Sequence, residues 1–261
     1  MAVLLQERLD DGRICVLTLN RPEVMNAVNT ELGMAMDHAV SEVLEDPKVR
    51  VIVFTGAGDR AFSTGGDLKE RNGMTEEAWH RQHRMFEEAH RKIRASIKPV
   101  ICAVNGYALG GGCELALSGD FICASTTAKF GLPEVTRGII PGVGGTQTLG
   151  RFLPRGRAIE MLLTGKPISA EEAYKYGMVN RLTEPDRLLE ETLTIARAIA
   201  ANSPLAVRMA KKAFRLGYDM SLEEAVDFSL ECYNRTIVHP DRDEGVKAFN
   251  EKRPPRFMDI Y

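Results

Sequence analysis

The chain has 261 residues, 44% of them hydrophobic, with 34 Lys and Arg against 36 Asp and Glu. That length can bury a large core without covalent staples. The net charge of −2 excludes the global basic field of a nucleic-acid binder, but not a local patch for a small anion.

In chain order, Ile14–Leu19 predicts a strand, and residues 29–44 an amphipathic helix with Leu32, Met36, Val40 and Val43 at helical spacing. Residues 49–55 and Val100–Val104 are continuously apolar, so both predict strands buried on two faces, and 121–124 predicts a third. Between them, 67–96 is highly charged. Its Trp79, Met85, Phe86, Ala89 and Ile93 predict a helix beside a mobile stretch. His80 and His83 stand three apart and read as a solvated helix face rather than as metal ligands. Beyond Glu184 come helices over 187–201, 204–216, 222–235 and 242–252, with a capping box from Ser221 to Glu224. The sum is an α/β core with mostly parallel strands over residues 1–185 and a helical region over 186–261.

Five cysteines, an odd number without CxxC spacing, read as reduced thiols in a cytoplasmic protein. No run reaches the ~20 apolar residues of a membrane span, and the N-terminus meets acidic residues too soon for a secretory signal.

The chemistry concentrates in Asn105-Gly-Tyr-Ala-Leu-Gly-Gly-Gly-Cys-Glu114, a glycine loop between a buried strand and a helix start. Such a loop lets a ligand approach bare backbone, and free N–H groups at a helix start attract an anion or a developing oxyanion. A dinucleotide fingerprint fails because Leu115 stands where a small residue is needed, and no P-loop Gly-Lys-Ser/Thr occurs. Cys113 could be a helix-start nucleophile; a small packed residue is the weightier reading. A second loop, Phe62-Ser-Thr-Gly-Gly-Asp-Leu68, follows a strand where open α/β sheets bind ligands. A third, Pro141-Gly-Val-Gly-Gly-Thr-Gln147, reads as a scaffold turn. Glu114 and Glu134 are candidates for an acid/base pair, against a helix-start charge for Glu114 and a surface carboxylate for Glu134.

These motifs, joined in order by Asn20-Arg-Pro, Asn26-Ala, Phe130-Gly-Leu-Pro-Glu134, Leu163-Thr-Gly165, Ala170-Glu-Glu-Ala173, Gly177-Met-Val179 and Ala248-Phe-Asn-Glu-Lys252, closely resemble the enoyl-CoA hydratase/isomerase (crotonase) family. The resemblance spans nearly the whole chain. It implies a superhelix of β-β-α turns with a C-terminal helical trimerisation region, assembled as a homotrimer or a dimer of trimers. It implies an oxyanion hole from the backbone N–H groups of Thr64, where the family often has Ala, and Gly111. It implies hydration of a trans-2-enoyl-CoA, with Glu114 as base and Glu134 as proton donor, and with no metal and no cofactor beyond the CoA of the substrate. Substrate contacts implied are Val24, Ala61, Thr64, Gly65, Gly66, Asp67, Leu68 and Gly111, with Phe249 and Lys252, and Arg253 as a further candidate, near the nucleotide. Arg137 stands where the family commonly has an apolar residue, so it could read an acidic substrate group, pair with a protein carboxylate or face another subunit. Trp79, Met85 and Phe86 are candidate walls of the acyl pocket. Double-bond isomerisation, thioester hydrolysis and a non-catalytic acyl-CoA-binding role are the alternatives.

Overall fold

The computed structural model describes residues 1–258. β1 (Leu4–Leu9) and β2 (Ile14–Leu19) form an antiparallel hairpin, and the chain then repeats one path three times. β3 (Val51–Gly56) leads to β4 (Ala61–Ser63), β5 (Val100–Val104) to β6 (Tyr107–Leu109), and β7 (Phe121–Ser125) to β8 (Lys129–Gly131). The first strand of each pair joins a six-stranded sheet ordered β1-β2-β3-β5-β7-β10, closed by β10 (Arg181–Thr183). The second joins a four-stranded sheet ordered β4-β6-β8-β9, where β9 is Ile168–Ser169. Turn stacks on turn in parallel register, which is the expected β-β-α superhelix. Sequence reading missed β4, β6 and β8 because three residues are too few to show a period.

The turns approach so closely that side chains must be absent at some contacts. A Cβ on Gly106 would strike the Arg60 carbonyl, which accepts the Tyr107 N–H at 3.0 Å. Asparagines satisfy the carbonyls the turns leave over. Asn26 Nδ2 donates to Ala57 O and Ala61 O, and Asn105 Nδ2 to Gly56 O and Gly58 O.

Helices flank the strands. α1 (Thr30–Glu45) starts one residue later than predicted because Asn29 is its N-cap, accepting from the Leu32 N–H. The charged stretch 67–96 divides at Gly73 (φ +80°) into α2 (Leu68–Arg71) and α3 (Glu76–Ala95). α4 (Gly111–Ala116) follows the first glycine loop, and α5 (Gly145–Phe152), α6 (Arg155–Thr164) and α7 (Ala170–Lys175) complete the core.

The C-terminal region is helical, as expected: α8 (Leu188–Ala200), α9 (Pro204–Gly217), α10 (Leu222–Ile237) and α11 (Pro240–Asn250). α8 is part of the layered core. Its Leu188, Leu193 and Ala196 bury against Val16, Val53 and Ile101 of the main sheet. α9 and α10 pack on each other and leave Phe214, Tyr218, Leu222 and Leu230 exposed. Among the described residues, no helix is long and apolar enough to cross a membrane.

Candidate active site

The carboxyl ends of the stacked turns open on a cavity of about 1260 Å³. Glu114 enters it from the first turn of α4, 4% exposed. Its Oε1 accepts the Val143 N–H at 2.9 Å and the Gly145 N–H at 2.7 Å. Those donors belong to the third glycine motif, which is therefore a clamp on a carboxylate rather than the plain turn expected. The clamp is itself held: Arg94 Nη1 donates to Val143 O at 2.6 Å. Two N–H bonds fix which face Glu114 presents to the cavity.

Glu134 enters from a 3-10 turn, Pro133–Arg137, and is 9% exposed, so it is no surface carboxylate. Among the described residues its Oε2 is buried without a hydrogen-bond partner. Burial pushes its pKa up to about 7, and the neighbouring Glu114 charge adds to the rise against the opposing pull of its own backbone N–H and Arg137. Glu134 thus holds a proton near neutrality. One cavity carries two carboxyl groups in different settings, one clamped and one proton-loaded.

The two glycine loops meet beside them. Gly111 is the first residue of α4, so its N–H is an orphan donor of the helix start. Gly65 has φ +82°, and a Cβ there would lie 2.7 Å from Gly111 N. Only glycine keeps the approach to that N–H open. The Thr64 N–H, expected as the second free donor, already donates to Met25 O at 3.2 Å. The reason is local: Met25 and Asn26 take left-handed φ of 55° and 53°, turning the Met25 carbonyl toward the loop.

Known proteins resemble this chain over nearly its whole length. Residues 10–260 match the model of the enoyl-CoA hydratase/isomerase family. A short-chain-enoyl-CoA hydratase from Clostridium acetobutylicum is 38% identical over 93% of each chain. An (E)-benzylidenesuccinyl-CoA hydratase from Thauera aromatica is 43% identical over 94% of this chain and 96% of its own. The crystal structure of an enoyl-CoA hydratase from Bacillus anthracis superposes with a TM-score of 0.95 at 39% identity, covering 98% of both chains. The chain belongs to the enoyl-CoA hydratase/isomerase family.

In this crotonase-family cavity, Val24, Thr64, Gly65, Gly66, Asp67, Leu68, Gly111 and Arg137 all form part of the lining. Asp67 is engaged elsewhere too: it pairs with Arg21 at 3.0 Å and caps α2. Ala61 is buried behind the wall, its carbonyl taken by Asn26, and its neighbour Arg60 lines the cavity instead. Phe249 and Lys252 are exposed at the end of α11 and do not line their own chain's cavity. Arg253 is neutralised by Glu244 and Glu251, which removes it as a free cation.

α3 roofs the cavity. Trp79 and Phe86 line it, but Met85 turns to Gly33 of α1 instead. His80 and His83 border it as well; His80 is exposed, in keeping with a solvated face, and the His83 ring abuts Gly142 of the Glu114 clamp. Cys113 is fully buried and its thiol pKa is pushed up by burial, so it is a packed residue and no nucleophile. Among the described residues no group of His, Cys, Asp and Glu could hold a metal ion. Sequence reading missed Arg71, Arg94 and His90. Arg94 and His90 sit on α3 within reach of the Glu114 clamp and of Gly111 O, and only the folded turn brings them there.

Proposed function

We infer that the chain is an enoyl-CoA hydratase, adding water reversibly and syn across the 2,3 double bond of a trans-2-enoyl-CoA. The observation that carries this reading is the pair of unlike carboxyls on one cavity beside the Gly111 N–H. Gly111 accepts the thioester oxygen as its charge grows. The Thr64 N–H becomes the second donor when that oxygen competes with the Met25 carbonyl. The polarised double bond is then attacked at C3 by a water whose proton passes to Glu114. Glu134 delivers its own proton to C2. Proton exchange with water returns both groups to their starting states, so the two glutamates and water account for every proton moved.

Phe249 and Lys252 lie outside their own cavity, and α9 and α10 leave apolar side chains exposed. Both features support assembly as a homotrimer or a dimer of trimers, with the C-terminal residues of one copy reaching the CoA nucleotide of another. The five cysteines are all free and buried, which suits a cytoplasmic location.

The test is a purified-protein assay with crotonyl-CoA, followed by loss of enoyl-thioester absorbance and by product analysis. Formation of 3-hydroxybutyryl-CoA is the expected result. Release of free CoA, or migration of a double bond without net hydration, would overturn the reading.

A further inference from the structure

Arg71 closes α2 and turns back over the second glycine loop. Its guanidinium is half-buried and lies against two rings, 4.4 Å from the Trp79 centroid and 5.6 Å from that of Phe86. Nε donates to Gln82 Oε1 at 2.9 Å, and the Gln82 amide is oriented in turn by Thr30 and Glu70. Beneath it is bare backbone: a Cβ on Gly66 would sit 3.0 Å from the guanidinium carbon. The stack and the Gln82 bond fix the plane of the group, and it lines the cavity.

What this cation lacks is a counter-ion. Among the described residues no carboxylate lies within ion-pair distance of it. Its neighbour Glu70 points Oε2 at Gln82 and at the Thr30 N–H instead. On the other rim of the loop, Arg21 has Asp67 at 3.0 Å. A half-buried guanidinium without an ion-pair partner is costly, and burial pushes its pKa down, with the nearby Glu70 charge opposing that fall. Its fixed plane matches the fork geometry that binds a carboxylate through two parallel N–H bonds.

We propose that Arg71 reads a second, free carboxylate on the acyl group, so that the preferred substrates are enoyl-CoA thioesters of short dicarboxylic acids. The proposal rests on the hydratase reading. Arg71 covers Gly66, two residues from Thr64, so the carboxylate it takes lies a few carbons from the thioester, not at the end of a long chain. Arg137, the other arginine of interest in this cavity, is exposed and donates at 3.3 Å to Pro133 O and Thr136 Oγ1, where solvent screens it.

The experiment compares kcat/KM for trans-2-hexenoyl-CoA with that for the trans-2-enoyl-CoA of the six-carbon dicarboxylic acid, and repeats the pair with five-carbon chains. The wild type should favour the carboxylated member of at least one pair by roughly 10- to 100-fold. Arg71→Met should bring that ratio close to one, Arg71→Lys should restore part of it, and Arg137→Leu should move it less. No preference in either pair, or a ratio unchanged in Arg71→Met because both substrates suffer alike, would overturn the proposal. A readout without any variant is the wild-type affinity for glutaryl-CoA against valeryl-CoA: tighter glutaryl-CoA binding that weakens with salt is expected, and equal affinities would overturn the proposal. If crotonyl-CoA and both pairs go unhydrated by the wild type, it is the hydratase reading that has failed.

Discussion

Glu114 and Glu134 share one cavity, but their supports are built differently. Glu114 stands on the first turn of a helix, and a loop some thirty residues downstream gives its Oε1 two N–H groups. Glu134 stands on a short 3-10 turn that buries it and leaves Oε2 with no partner among the described residues. Identical side chains therefore meet different surroundings: Glu114 is held by two backbone donors, while burial and the nearby Glu114 charge push the Glu134 pKa up. The lesson is that an acid/base pair needs no difference in residue type when burial differs and one carboxyl has two backbone donors while the other keeps a buried oxygen without a partner.

The largest effects should come from removing either carboxyl. Glu114→Gln and Glu134→Gln each delete a proton-transfer group while keeping its shape, so kcat for crotonyl-CoA should fall by about 10²–10⁴. Turnover near the wild-type level in either variant would break the comparison. Next is the space beside the Gly111 N–H. Gly65→Ala puts a Cβ 2.7 Å from Gly111 N at a φ of +82°. That should cost about 10²–10³ in kcat, with the thermal midpoint measured alongside to separate blocking from misfolding. A smaller loss is expected from the second support of the clamp. Arg94→Ala removes the bond to Val143 O and should lower kcat on the order of tenfold by loosening the aim of Glu114.

The pH dependence sharpens the contrast further. Glu134 must be protonated to act as acid, and its pKa stands at about 7. The profile of kcat/KM should fall on the alkaline side with a midpoint near that value. The smallest effect is on stability. A carboxyl raised in the folded state from 4.5 to about 7 binds more protons folded than unfolded across that window. It therefore costs stability progressively as pH rises from 4.5 to 7, and the full penalty persists above. Glu134→Gln removes the ionisable group, so its melting temperature should exceed the wild type's by more at pH 8 than at pH 5. A gain larger at the acid end would contradict the assigned direction.

Much of this was legible in the sequence. The long buried strands β3 and β5 announce themselves by continuous apolarity, and the capping box at Ser221 marks the start of α10 as read. The ordered motifs pointed to the family, the superhelix and both glutamates. Long-range backbone geometry was not legible. Val143 and Gly145 donate N–H groups, which no side-chain pattern reports, so the clamp passed for a scaffold turn. The Met25 carbonyl reaches Thr64 only because two consecutive non-glycine residues adopt left-handed backbone. Arg71 lay hidden in a run of charges, since its isolation depends on the break between α2 and α3 that sets it against Trp79.

The division between the two carboxyls can be observed directly by infrared spectroscopy of the protonated carboxyl C=O stretch across a pH titration. The wild type should show a band that disappears with a midpoint near pH 7. The band should be absent from Glu134→Gln. It should persist in Glu114→Gln with a lower midpoint, because the neighbouring negative charge that helps raise Glu134 has gone. A band that vanishes in Glu114→Gln and survives in Glu134→Gln would reverse the roles of the two glutamates and contradict the account.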